Sequence, residues 1–172
     1  MTVSAVGTAM AMSDAQAEVF INVALVAIVV PTALTVIPAS RLSDRFGRKA
    51  LIYAACALGA VGLAVVVVAP NVTIAVGALM VVGVGAGAFL AVDWALMTDI
   101  IPKATSGRFM GISNVGTAMA GPLTLIVAGP ILDWLYTFDP GASPRAAYAV
   151  GVGFFILAAL LLRPVDPAPR LD

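Results

Sequence analysis

The sequence predicts an all-α membrane protein with about five transmembrane helices, and three observations predict it. First, 62% of the 172 residues are hydrophobic and only 10% are charged, whereas a soluble domain carries about 25% charged residues. So little charge cannot coat a surface facing water, and the matching solvent is lipid. Second, the apolar residues fall into five runs, each near the roughly 20 residues that cross a hydrocarbon core as a helix. Third, these runs do not alternate apolar with polar residues as the strands of a membrane barrel do. Valines such as those at 65–68 favour β structure, but lipid offers no partner to open backbone groups, so helices are expected.

Taken in order, the first run covers 17–39 and ends in the charged stretch 41–49. The second covers 50–69 and stops at Pro70 and Asn71. The third, 72–98, ends at Asp99, Pro102 and Lys103, and the fourth, 107–132, ends at Asp133 and the polar segment 137–145. The fifth, 146–162, stops at Arg163 and Pro164. The bundle thus covers 17–163. Segment 1–16 has no Lys or Arg, hence no basic region of the kind that opens a signal peptide. It reads as an extracytoplasmic lead, and the Pro-rich segment 164–172 as a disordered cytoplasmic tail.

Basic residues set the expected orientation. With the 41–49 loop in the cytoplasm, Arg41, Arg45, Arg48, Lys49, Lys103, Arg108, Arg163 and Arg170 lie inside and only Arg145 outside. That eight-to-one bias obeys the positive-inside rule, with the amino terminus outside and the carboxy terminus in the cytoplasm of a multi-pass cell-membrane protein.

Composition also excludes functions. Net charge is zero, so no nucleic-acid partner is indicated. The chain has no His, the commonest general base and metal ligand. Its one cysteine, Cys56, sits in an apolar run and reads as a small buried hydrophobe. Without His, paired intramembrane acids or a nucleophile setting, the expectation is no enzyme, no metal and no cofactor. Gly59 and Gly62 in the second run, and Gly77, Gly83, Gly85 and Gly87 in the third, suit close helix approach. Pro31, Pro38, Pro122 and Pro130 interrupt backbone ladders and bend helices.

The stretch 40–49 reads Ser-Arg-Leu-Ser-Asp-Arg-Phe-Gly-Arg-Lys. Gly47 permits a tight turn between antiparallel spans. Asp44 suits pairing with a neighbouring Arg or a helix amino terminus, and Arg48 and Lys49 suit acids at nearby helix ends. Charge alone equally fits a plain positive-inside anchor. The order of residues goes further: it resembles the cytoplasmic loop signature of the major facilitator superfamily, Gly-x-Leu-x-Asp-Arg-x-Gly-Arg-Arg/Lys. Leu42, Asp44, Arg45, Gly47, Arg48 and Lys49 match, while Ser40 stands in the first glycine position.

A second stretch is Asp93-Trp94-Ala95-Leu96, Thr98-Asp99, Pro102-Lys103, Gly107-Arg108 and Asn114. It resembles the tenth-to-eleventh helix region of the sucrose and glycoside–cation symporter branches. Together the resemblances imply a partial major facilitator fold, helices eight to twelve, from the carboxy-terminal half of a secondary transporter. They imply alternating access, with Asp44, Arg45, Gly47, Arg48 and Lys49 as a conformational-switch loop. They also imply a sugar or other small solute as substrate, coupling to protons or sodium, and an amino-terminal half as missing partner. A truncated, non-transporting membrane subunit is the alternative.

Single residues are weighed on that background. Asp93 lies among apolar neighbours, where an acid is costly and faces a cavity or a partner. It suits a coupling ion, a proton or a substrate hydroxyl, with Trp94 as an aromatic face beside it. It equally suits a structural ion pair with Arg108 or a loop Arg. Asp99 is expected to pair with Arg48 or Arg108. Asn114 is expected to bond between helices, with substrate contact as the alternative. The 71–73 sequence Asn-Val-Thr matches a glycosylation acceptor, a weak signal.

Overall fold

A computed structural model describes residues 14–100, 106–138 and 143–164, and they are built almost wholly of helix. Among the described residues five helices follow one another: α1 (Asp14–Phe46), α2 (Arg48–Val68), α3 (Val72–Ile100), α4 (Ser106–Phe138) and α5 (Ser143–Leu161). Among the described residues there is no strand. Four segments are long and apolar enough to cross a membrane: Glu18–Phe46, Arg48–Val68, Val72–Asp93 and Gly107–Phe138. The apolar stretch of α5, Arg145–Leu161, is shorter. The lead 1–13, Pro102, Lys103 and the tail 165–172 lie outside the described residues.

Two helices outrun their apolar runs. α1 continues through the charged stretch to Phe46, so the turn to α2 is a single residue, Gly47. Nothing between 41 and 46 breaks a helix, and polar side chains are free to project beyond the lipid. What breaks it is Gly47, whose φ of 91° is the only positive φ among the described residues. Its N–H still donates to the Ser43 carbonyl at 3.0 Å, and its carbonyl accepts from Leu51 N–H at 3.3 Å. The two helices therefore share this residue as last rung and first. α4 likewise runs past 132 to Phe138, taking Asp133 into the helix. At its end Trp134 and Phe138 pack edge to face, with centroids 5.0 Å apart, as aromatic residues do at membrane interfaces.

Asn71 has a structural task. Its side-chain oxygen accepts the Ile74 N–H at 2.9 Å, capping an orphan donor of the first turn of α3.

α3 is the centre of the bundle, with α1 and α2 both packed along it and α5 packed on α2. α4 packs against α5, and that contact is slighter. Glycine sets the spacing around α3. A methyl group at Gly83 or Gly87 would collide with the Ile28 or Thr32 carbonyl oxygen of α1. One at Gly85 would lie 2.9 Å from the Ala55 carbonyl oxygen of α2. Residues 83 and 87 share one helix face while 85 points elsewhere, so α3 seats a neighbour on each side. In lipid such close backbone approach replaces the hydrophobic effect as the source of association. A hydrogen bond crosses the first seam: the Thr32 hydroxyl lies 2.7 Å from the Ile28 carbonyl and 3.0 Å from the Gly83 carbonyl. One cluster of buried residues, including Ala39, Leu51, Ile52, Val92 and Leu96, lies towards the Gly47 end, and Phe155 and Leu162 of α5 close over it.

Candidate functional site: the Gly47 turn and the Asp93 groove

The signature residues gather at one end of the bundle. Asp44, Arg45 and Gly47 are exposed, and Arg48 and Lys49 partly so. A Cβ at Gly47 would meet nothing within 4 Å, so glycine is required there by its φ and not by crowding. Arg45 lies over the neighbouring Phe46 ring, 5.8 Å from its centroid. Lys49 reaches across to α5, where its ammonium donates to the Arg163 carbonyl at 2.9 Å. A cation at the last carbonyls of a helix also meets the negative end of its dipole. Arg48 is likewise engaged in a polar interaction.

Asp44 is exposed, and among the described residues no ion pair holds it. Ser40, in place of the signature's first glycine, is exposed and donates to the Ile37 carbonyl at 2.8 Å. Ser43, which sequence reasoning passed over, is only 2% exposed, and its hydroxyl finds no hydrogen-bond partner among the described residues. Its signal was its place one helical turn after Ala39, on the core face of α1.

Asp93 lies towards the same end and faces a groove of about 270 Å³ between α2, α3 and α5. The other walls are Ile52, Cys56, Phe89, Leu96, Ala158, Leu161 and Leu162. Asp93 is half-buried, and no described side chain makes a hydrogen bond or ion pair with it. Arg108, one of the partners considered for it, is exposed on α4 and does not line the groove. The side chains of Trp94 and Asp99 lie outside the described residues. Asn114 is exposed, and no bond from another described helix reaches it. α4 has little packed against it among the described residues, where its one buried apolar side chain is Ala128.

A second groove, of about 360 Å³, opens between α1 and α3. Its walls are Val23, Val26, Ala27, Val30, Pro31, Val76 and Met80, with Asn22 the one polar side chain. Continuous apolar runs hid it, because burial and groove-lining positions look alike in such a sequence. Among the described residues no group of His, Cys, Asp and Glu is disposed to hold a metal ion.

Long apolar helices, a glycine-set seam between them and a one-residue turn beside basic residues define a multi-pass membrane protein. The chain belongs to the Major Facilitator Superfamily, whose family model matches residues 1–172. It is 35% identical over 132 residues to a triacylglyceride transporter of Mycolicibacterium hassiacum, covering 76% of this chain and 23% of that protein. A triacylglyceride transporter of Mycobacteroides abscessus is 30% identical over 135 residues, covering 76% of this chain and 24% of that protein. The chain thus spans about a quarter of the length of the curated relatives it matches. No solved structure matches it. The likeness to sugar and glycoside–cation symporters finds no support among these relatives.

Proposed function

We infer that the chain works as the carboxy-terminal portion, helices eight to twelve, of a secondary transporter that moves an apolar, lipid-class solute by alternating access. The observation that carries the substrate class is the groove between α1 and α3, with its hydrocarbon walls and the single amide of Asn22. A sugar buried there would leave most of its hydroxyls without partners, which is costly for each group. An acyl chain needs none. The names of the two relatives point the same way. This replaces a sugar with a lipid as the proposed substrate; in this reading Asp93, with the neighbouring Trp94, serves coupling to protons or sodium.

In the same reading all five helices span the membrane, with the basic Gly47 end in the cytoplasm. The preceding helices of the complete transporter cover what is open here, above all α4. An enzymatic role is not part of the proposal. The test is transport by the complete protein in proteoliposomes, with a radiolabelled triacylglyceride or a radiolabelled disaccharide inside. Movement of the triacylglyceride alone is expected. Movement of the disaccharide alone would overturn the substrate class, and movement of neither would overturn transport.

A further inference from the structure

The groove face of α1 carries a gradient of polarity. Glu18, Asn22, Val26 and Val30 stand four residues apart, so they form one strip along the helix. Glu18 opens the apolar span of α1. Asn22 lies about 6 Å further in along the helix axis, and Pro31 about 20 Å further in. The strip therefore runs from acid to amide to hydrocarbon, from the membrane edge inward. Asn22, Val26 and Val30 line the groove between α1 and α3, and Val76 and Met80 close its other side. Asn22 is exposed, and no described group bonds to its amide. An amide beside hydrocarbon is costly until its N–H groups find an acceptor.

Lipids differ in how they meet this strip. A bare hydrocarbon covers the walls and leaves both N–H donors of the amide unused. A fatty acid brings a carboxylate, and a phospholipid brings a phosphate a few bonds from its ester. Either anion would come within about a helical turn of the exposed Glu18 carboxylate, and like charges repel. A neutral acylglycerol meets every part. Its ester carbonyl is an acceptor for Asn22, it brings no charge to Glu18, and its chain runs inward along Val26, Val30 and Met80. The volume of about 360 Å³ is at the low end for ligand sites, which suits one acyl chain at a time.

We propose that Asn22 selects the substrate: its amide N–H donates to the ester carbonyl of a neutral acylglycerol whose chain lies in the α1–α3 groove, while Glu18, one turn outward, turns away phosphate-bearing lipids. This rests on the reading that the groove holds an acyl lipid, and adds what tells one lipid from another.

The experiment is competition binding to the full chain in dodecyl maltoside micelles, with radiolabelled trioctanoylglycerol as probe and uptake by empty micelles subtracted. Saturable binding is expected, and Val26→Trp, which fills the groove below Asn22, should abolish it. The trioctyl ether of glycerol has the same chains without carbonyls. It should compete about three- to tenfold less well than unlabelled trioctanoylglycerol. Asn22→Leu should erase that preference, and Asn22→Ser, which keeps a donor, should retain part of it. With the probe isotope-labelled at its carbonyls, infrared spectra should show a band lowered by hydrogen bonding in the wild type and not in Asn22→Leu. A merely structural Asn22 would not produce that signature. Dioctanoylphosphatidylglycerol should compete weakly, and Glu18→Gln should improve its competition about twofold or more. Absence of saturable binding, or its survival in Val26→Trp, would overturn the lipid reading of the groove and this inference with it. Three results would overturn the inference alone: equal competition by ester and ether, a carbonyl band unmoved by Asn22→Leu, or phosphatidylglycerol competition unchanged by Glu18→Gln.

Discussion

Helices α3 and α4 carry glycine at similar density and use it in opposite ways. In α3, a side chain at Gly83, Gly85 or Gly87 would strike the backbone of α1 or α2. In α4, a Cβ at Gly107, Gly111, Gly116, Gly121 or Gly129 would meet nothing within 4 Å. Large apolar residues of α4 such as Leu125 and Ile126 are exposed, at 73% and 67%. Glycine in a membrane helix therefore permits close approach without reporting whether a neighbour has arrived. α3 has its neighbours within this chain. In the proposed transporter, α4 meets its neighbours among the preceding helices.

The sharpest way to break this comparison is to substitute one glycine on each helix. Gly87→Val drives a methyl group into the Thr32 carbonyl, and backbone cannot step aside as a side chain can. We expect a loss of about 3 kcal/mol or more in stability, read from denaturant titration of the detergent-solubilised protein. Gly121→Val should change stability by less than about 0.5 kcal/mol. Equal losses would mean that α4 is packed as tightly as α3. Next in size comes Gly47→Val, which forces a β-branched residue to a φ of 91°. Its cost is expected at about 1–3 kcal/mol in the same titration. Thr32→Val removes the hydroxyl that bridges to the Gly83 carbonyl; the expected loss is about 0.5–1.5 kcal/mol. Should it stabilise the protein, the seam owes nothing to that bond. The smallest effect belongs to Lys49→Met, which gives up the contact with the end of α5. It should lower stability by about 0.3–1 kcal/mol, and most of that difference should vanish in high salt.

Much of this architecture was legible because a membrane helix is written as an uninterrupted apolar run. The five runs became the five helices, and Pro31, Pro38, Pro122 and Pro130 lie inside helices as read. Helix ends were less legible. Hydropathy marks where lipid stops, whereas α1 ends where backbone geometry stops it, at Gly47. Partners were least legible of all. An acid beside an Arg in sequence suggests a pair, yet Asp44 projects outward and Asp93 faces hydrocarbon, because helix rotation and not spacing decides what a side chain meets. Thr32 gave a faint sign, a hydroxyl next to Pro31 within an apolar span. The Asp93 groove gave none beyond the acid itself, since its walls come from three helices far apart in sequence.

The central claim is that this chain is a working part of a transporter and that its Gly47 turn switches rather than anchors. Uptake by the complete protein in proteoliposomes tests it directly, with Asp44→Asn and Gly47→Val compared at equal membrane levels. The account predicts that both variants insert normally and that uptake falls to background, since Asp44 has no ion pair among the described residues here and is free to form one in another state. Normal uptake by both variants would contradict it and leave the turn as a positively charged anchor.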